Sequence, residues 1–132
     1  MSVLPFDQRE GFIWMDGELL PWKDAKLHIL SHGLHYGSTV FEGERAYGGV
    51  IFKSREHSER FKNSARLLDY EIPYSVDEIE AVKKLVVAKN NMTSCYVRPV
   101  AWRGSEMMAV SAQNSTIHMA VAVWDWPSMF DV

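Results

Sequence analysis

Apolar and polar residues alternate with a period of two in several short stretches of the chain and with a period near 3.6 in two longer ones, which separates strands from helices. Phe12-Ile13-Trp14-Met15 and Glu18-Leu19-Leu20 flank Asp16-Gly17, a dipeptide that tolerates the positive φ angles of a type I′ turn, and so predict a hairpin. From Ser38 to Tyr47, the residues Thr39, Phe41, Gly43, Arg45 and Tyr47 alternate with Val40, Glu42, Glu44 and Ala46, the pattern of one strand. Gly48-Gly49 then reverses it into Val50-Ile51-Phe52, a second hairpin. Ser54 is expected to cap a helix in which His57, Phe61, Ser64, Ala65 and Leu68 recur at helical spacing, until Tyr70 to Pro73 breaks the pattern. Ser75-Val76-Asp77-Glu78 reads as a capping box ahead of Ile79, Val82, Leu85 and Val86, and Asn90-Asn91 closes this second helix. Ser94 to Arg103 and Ser115 to Trp124 are β-branched and aromatic enough to be strands, joined by a polar, methionine-rich loop. The order ββββααββ predicts an α+β fold, a largely antiparallel sheet with two adjacent helices on one face.

Composition narrows the classes. At 132 residues, 47% hydrophobic and 23% charged, the chain has room for one core, with residues 1–11 as an amino-terminal arm and residues 12–132 as the domain. The single Cys95 cannot form an internal bridge, and one cysteine beside 7 methionines suits a reducing compartment, so the chain is read as cytoplasmic. Fourteen basic and 17 acidic side chains give a net charge of −3 without a basic stripe, which supplies no reason to hold nucleic acid or an anionic membrane. The first ten residues carry Asp7 and Glu10 and do not read as a signal peptide, and the run Met119 to Trp124 is too short to span a bilayer. Trp124, Trp126, Pro127, Met129, Phe130 and Val132 crowd the carboxyl end, where an interface or a continuation of the natural chain is expected.

Few local groupings suggest chemistry by themselves. His28, His32 and His35 stand at helical intervals and are read as turn and core histidines, with a metal as the alternative that needs a fourth ligand. Cys95, inside a strand, reads as a buried inert thiol, and Ser31-His32 and His35-Ser38 offer no nucleophile elbow for a hydrolase. Tyr96 and Arg98 leave the same face of a strand, with Val100 and Trp102 continuing it. Such an arginine either receives a carboxylate between aromatic walls or forms an edge-strand salt bridge. Arg60 on the first helix, taken alone, is a solvated charge.

Longer stretches carry more. Phe12-Ile13-Trp14-Met15-Asp16-Gly17-Glu18, and then Ser31-His32-Gly33-Leu34-His35-Tyr36-Gly37-Ser38-Thr39-Val40-Phe41-Glu42-Gly43, resemble the opening of branched-chain amino-acid aminotransferases, pyridoxal-phosphate enzymes of the class IV family. Arg55-Glu56-His57-Ser58-Glu59-Arg60 is similar to their phosphate-anchoring helix, and Asn90 to Pro99 to the strand that follows. The resemblance runs from Phe12 to Trp124 and implies the small amino-terminal domain of such an enzyme, a homo-oligomer built on a dimer. It implies L-leucine, L-isoleucine and L-valine as amino donors, with 2-oxoglutarate as acceptor and glutamate as its product. Residue by residue, it places Arg60 on the cofactor phosphate, Phe41 and Tyr96 on the apolar slot, Arg98 on the second carboxylate of glutamate, and Tyr36 and Val110 at the slot of a neighbouring subunit. Ala109 stands where many members carry glycine. The family's Schiff-base lysine and the carboxylate that protonates the pyridine nitrogen lie in a second domain. Lys23, Lys26, Lys53, Lys62, Lys83, Lys84 and Lys89 match no such lysine motif and are expected as solvated ammonium groups, so this chain is expected to hold no catalytic residue and to be inactive alone. The alternatives are a standalone non-catalytic binding or dimerisation domain, a relative of D-amino-acid aminotransferase or aminodeoxychorismate lyase, and an unrelated α+β interaction protein.

Overall fold

A computed structural model describes residues 5–125, and its two tight turns follow from the dipeptides that form them. β1 (Phe12–Met15) and β2 (Glu18–Pro21) are joined by Asp16 at φ 51° and Gly17 at φ 99°, as a type I′ turn requires. A short helix, α1 (His32–Tyr36), and β3 (Thr39–Phe41) come next, and then β4 (Glu44–Tyr47) turns through Gly48-Gly49 into β5 (Val50–Ile51). The single strand expected over Ser38 to Tyr47 is therefore two, with a break at Glu42-Gly43.

The cause of that break lies on the opposite strand. β3 and β4 both pair with β6 (Cys95–Arg103), Phe41 opposite Val100 and Glu44 opposite Val97, so the register continues unshifted across the gap. There Glu42 donates its backbone N–H to the Pro99 carbonyl at 3.1 Å, and proline has no N–H to return the second bond of the pair. The inward parity survives the gap: Val40, Glu42, Glu44 and Ala46 are buried, while Thr39, Phe41 and Tyr47 are exposed.

Two helices cover the inward face. α2 (Ser54–Leu67) has Lys53 at its N-cap, at φ 54° and without a side-chain capping bond, which corrects the expectation that Ser54 caps it. The Ser54 hydroxyl donates to Glu80 instead. α3 (Val76–Lys89) carries the expected capping box, Glu78 N–H to Ser75 Oγ at 3.1 Å and Ser75 N–H to Glu78 Oε1 at 2.9 Å. Asn90 caps its other end and also grips β1, its amide accepting from the Phe12 N–H at 2.9 Å and donating to the Phe12 carbonyl at 3.0 Å. Phe61, Ile79 and Val86 from the helices meet Trp14, Val97, Met119 and Val121 from the sheet to form the core.

β7 (Ile117–Trp124) completes an all-antiparallel sheet of order β2-β1-β7-β6-β4-β5, with β3 also on β6. β6 is thus central, which removes the edge-strand salt bridge as an account of Arg98. Among the described residues no helix is long and apolar enough to cross a membrane. Trp126, Pro127, Met129, Phe130 and Val132 of the apolar carboxyl end lie outside the described residues.

Lys83 departs from the expectation of solvated lysines. Its side chain has 0% exposure, and Nζ donates to Glu44 Oε1 at 2.8 Å and to the Ser54 carbonyl at 2.9 Å. Another lysine away from open solvent, the half-buried Lys62, donates to the carbonyls of Ile72 and Tyr74.

Candidate active site

The outward face of the sheet brings Phe41, Tyr96 and Arg98 together. The Arg98 guanidinium lies 4.2 Å from the Phe41 ring centroid and 5.2 Å from that of Tyr96, and Nη2 donates to the Tyr96 hydroxyl at 2.7 Å. Trp124, at the end of β7, tilts against Tyr96 at 4.8 Å and stands 5.7 Å from the same guanidinium. Arg98 forms no ion pair among the described residues, and its charge is met by aromatic faces and the Tyr96 hydroxyl. The Tyr96 hydroxyl sits directly over Gly43, where a Cβ would collide with it. Glycine at the break thus lets the tyrosine reach its arginine.

Beside this cluster, the open face continues as a groove of about 430 Å³ lined by Ile13, Met15, Leu27, Leu34, Val100 and Trp102, among others. Only Val100 and Trp102 of these follow from the Tyr96–Arg98 face in sequence. Ile13 and Met15 reach the groove from the side of β1 opposite Trp14, and Leu27 and Leu34 from irregular or very short elements that carry no period.

Arg60 lies on the other side of the sheet, because α2 packs on the inward face. Its Nε donates to Glu42 Oε2 at 2.8 Å and its Nη2 to Glu42 Oε1 at 2.6 Å, a bidentate fork. His57, one helical turn earlier, donates Nδ1–H to Glu42 Oε1 at 2.7 Å. Burial alone would raise the Glu42 pKa. The hydrogen bonds from Arg60 and His57 and their charges outweigh it and hold the carboxyl below its ordinary value. Nothing in the local sequence singles out Glu42 or His57, although a glutamate at the core-facing parity of a strand is a signal that it has a cationic partner.

Tyr36 and Val110 are both exposed and line one cleft of about 320 Å³ with His32, Ser38 and Arg103. The buried Arg103 ties this region down by donating to the carbonyls of Ala112 at 2.8 Å and Asp69 at 2.8 Å. His28, His32 and His35 each have a hydrogen-bond partner within the chain. His32 bridges Ser38 Oγ at 2.7 Å and the Ala109 carbonyl at 2.8 Å, His35 donates to the Ile29 carbonyl at 2.7 Å, and His28 accepts from the Leu30 N–H at 3.0 Å. Cys95 is buried, and burial raises its thiol pKa.

The sequence matches the family described as amino-transferase class IV over residues 39–131, and the chain belongs to that family. More particularly, it is 45% identical over 122 residues to the branched-chain-amino-acid aminotransferase of Pseudomonas aeruginosa, a match covering 89% of this chain and 40% of that protein. The crystal structure of the T.th. branched-chain amino acid aminotransferase complexed with N-(5'-phosphopyridoxyl)-L-glutamate superposes with a TM-score of 0.85 at 44% identity, over 89% of this chain and 42% of that one. The same enzyme complexed with 4-methylvaleric acid gives a TM-score of 0.85 at 44% identity, over 89% and 41%. The chain therefore spans about two-fifths of the length of the relatives it matches, 40% of the Pseudomonas protein.

Proposed function

We propose that these residues form the small domain, residues 12–132, of a branched-chain amino-acid transaminase that exchanges amino groups between leucine, isoleucine or valine and 2-oxoglutarate on pyridoxal 5'-phosphate. The observation that carries the reading is Arg98, a guanidinium framed by Phe41 and Tyr96 at 4.2 and 5.2 Å and left without a carboxylate among the described residues. One slot then serves two substrates: aromatic walls receive a leucine side chain, and a cation among them receives the second carboxylate of glutamate. The T.th. relative is named in complex with both a phosphopyridoxyl-glutamate and a leucine-sized carboxylic acid, which supports that dual use.

Arg60 fits the cofactor phosphate by the chemistry of its donors. Glu42 occupies Nε and one position on Nη2, which leaves three N–H groups of the exposed guanidinium for an anion. Once bound, pyridoxal phosphate supplies the electron sink for moving an amino group. Arg60 would hold its phosphate, Phe41 and Tyr96 would exclude water from the side-chain slot, and Tyr36 and Val110, exposed on their cleft, would contribute to the slot of a second subunit of a homodimer. The lysine that binds the cofactor covalently is assigned to the part of the relatives that this chain does not span. Lys83, fully buried against Glu44, is unreachable for that task, and the chain alone is proposed to be inactive.

The test is Arg98→Leu in the full-length enzyme, with both half-reactions followed by stopped-flow. Losing a charge-assisted partner for a buried carboxylate costs about 2–5 kcal/mol, so turnover of glutamate collapses while that of leucine changes little. Equal losses in the two half-reactions would make Arg98 structural and overturn the reading.

A further inference from the structure

We infer that Glu42 is the positioning residue of the phosphate arginine: its buried carboxylate fixes the Arg60 fork so that the free guanidinium edge is presented to a phosphate monoester. The inference rests on the reading of Arg60 proposed above and deepens it.

The two partners differ sharply in freedom. The Arg60 side chain is 66% exposed and that of Glu42 is 4% exposed. An arginine on an open helix surface samples many rotamers, and ordering it at the moment of binding costs affinity. Here the order is already present, because Glu42 is held at both its backbone and its carboxylate. Its backbone N–H is bonded to the Pro99 carbonyl at 3.1 Å, its Oε1 accepts from His57 at 2.7 Å, and its two oxygens engage Nε and Nη2 of Arg60 at 2.8 and 2.6 Å. The guanidinium is planar, so fixing its Nε–Nη2 edge also fixes the opposite Nη1–Nη2 edge, the one a phosphate can use bidentately. Glu42 is also the residue between Phe41 and Gly43. Strand alternation, kept through the break, thus turns Glu42 with its arginine to one face of the sheet and Phe41 with the substrate cluster to the other, from consecutive residues.

A second role for Glu42, neutralising Arg60, makes the opposite prediction, since removing the carboxylate would then strengthen an anion site. The full-length enzyme stripped of cofactor separates the two. Affinity for pyridoxal 5'-phosphate and for pyridoxal, which lacks the phosphate, is measured by titration for the wild type, Glu42→Gln, Glu42→Asp, Arg60→Ala and Glu42→Gln/Arg60→Ala, with the thermal unfolding of each apoprotein alongside. An amide cannot accept from Nε, Nη2 and His57 together, and aspartate is too short to keep both contacts. Each Glu42 substitution is therefore expected to weaken pyridoxal 5'-phosphate about tenfold, the scale of one charge-assisted contact, to leave pyridoxal unchanged, and to add nothing in the Arg60→Ala background. Unchanged or tighter phosphate binding, equal losses for both ligands, or additive losses in the double variant would overturn the inference. If Glu42→Gln fails to fold, Glu42→Asp, which keeps the charge, decides by the same criteria. Should Arg60→Ala itself leave phosphate binding intact, the reading of Arg60 fails rather than that of Glu42.

Discussion

Glu44 meets Lys83 where neither side chain touches water, and the second carboxylate oxygen, Oε2, has no hydrogen-bond partner among the described residues. Burial dominates at Glu44 and raises its pKa against the charge and hydrogen bond of Lys83. Such a pair adds little net stability but is costly to break, because either partner left alone is a buried, uncompensated charge. Lys83→Met is accordingly expected to lose about 3–5 kcal/mol in urea unfolding at neutral pH, whereas Glu44→Leu/Lys83→Met should lie near or above the wild type. The pH dependence has a definite sign. With its folded pKa raised, Glu44 binds a proton more readily folded than unfolded, so stability falls as pH rises through that value and the Lys83→Met deficit is smallest in acid. A deficit that grows toward acid pH would contradict the assignment. Sequence periodicity could not reveal this lysine, because α3 places it among Ile79, Val86 and Val87 while its charge suggests a solvated position.

At the scale of elements, what the sequence disclosed was local. Asp16-Gly17, Gly48-Gly49 and the Ser75–Glu78 box each act over three or four residues, and each is in place. The break between β3 and β4 was hidden because its cause, Pro99, belongs to another strand, and α1 was hidden because five residues hold too little pattern to read. Tyr96 and Arg98 could be placed on one face by parity, but Phe41 joins them only through the pairing of β3 with β6. The loop over residues 104–116 is tied to the β1–β2 turn by His118, which donates Nδ1–H to Asp16 at 2.6 Å and Nε2–H to Glu106 at 2.9 Å. Burial would lower the His118 pKa, but the two hydrogen bonds and the two negative charges raise it above 6.5. Sharing both nitrogens as donors requires the imidazolium, so the tie contributes fully below pH 6.5 and is lost as pH rises through the raised value. Amide hydrogen exchange in residues 104–116, corrected for intrinsic rates, should therefore speed up on the alkaline side, and His118→Gln should remove the pH dependence. A wild-type loop whose protection ignores pH would show that His118 is not the fastening.

The described residues form a two-layer structure, with α2 and α3 on one face of the sheet and, among them, only the short α1 beside the groove on the other. Leu27 and Leu34 at the groove, Tyr36 and Val110 at the other cleft, and Ile29 and Leu30 are all exposed, the kind of apolar surface that marks an interface. The 132-residue chain is expected to self-associate at micromolar concentration, and Leu34→Glu should lower its sedimenting mass. A clean monomer that binds no apolar dye would count against this. The position of β1 has a further consequence, for the order in which the chain can be assembled. On the ribosome the first hairpin emerges complete, yet the strand it must join is made far later, since Trp14 pairs with Val121 and Met15 with Ala120. Until β7 arrives, the free edge of β1 has no sheet to extend and Trp14 no finished core to enter. Closure of the sheet is thus a late event of high contact order, and synthesis leaves an interval in which the nascent hairpin depends on shielding from other unpaired strands.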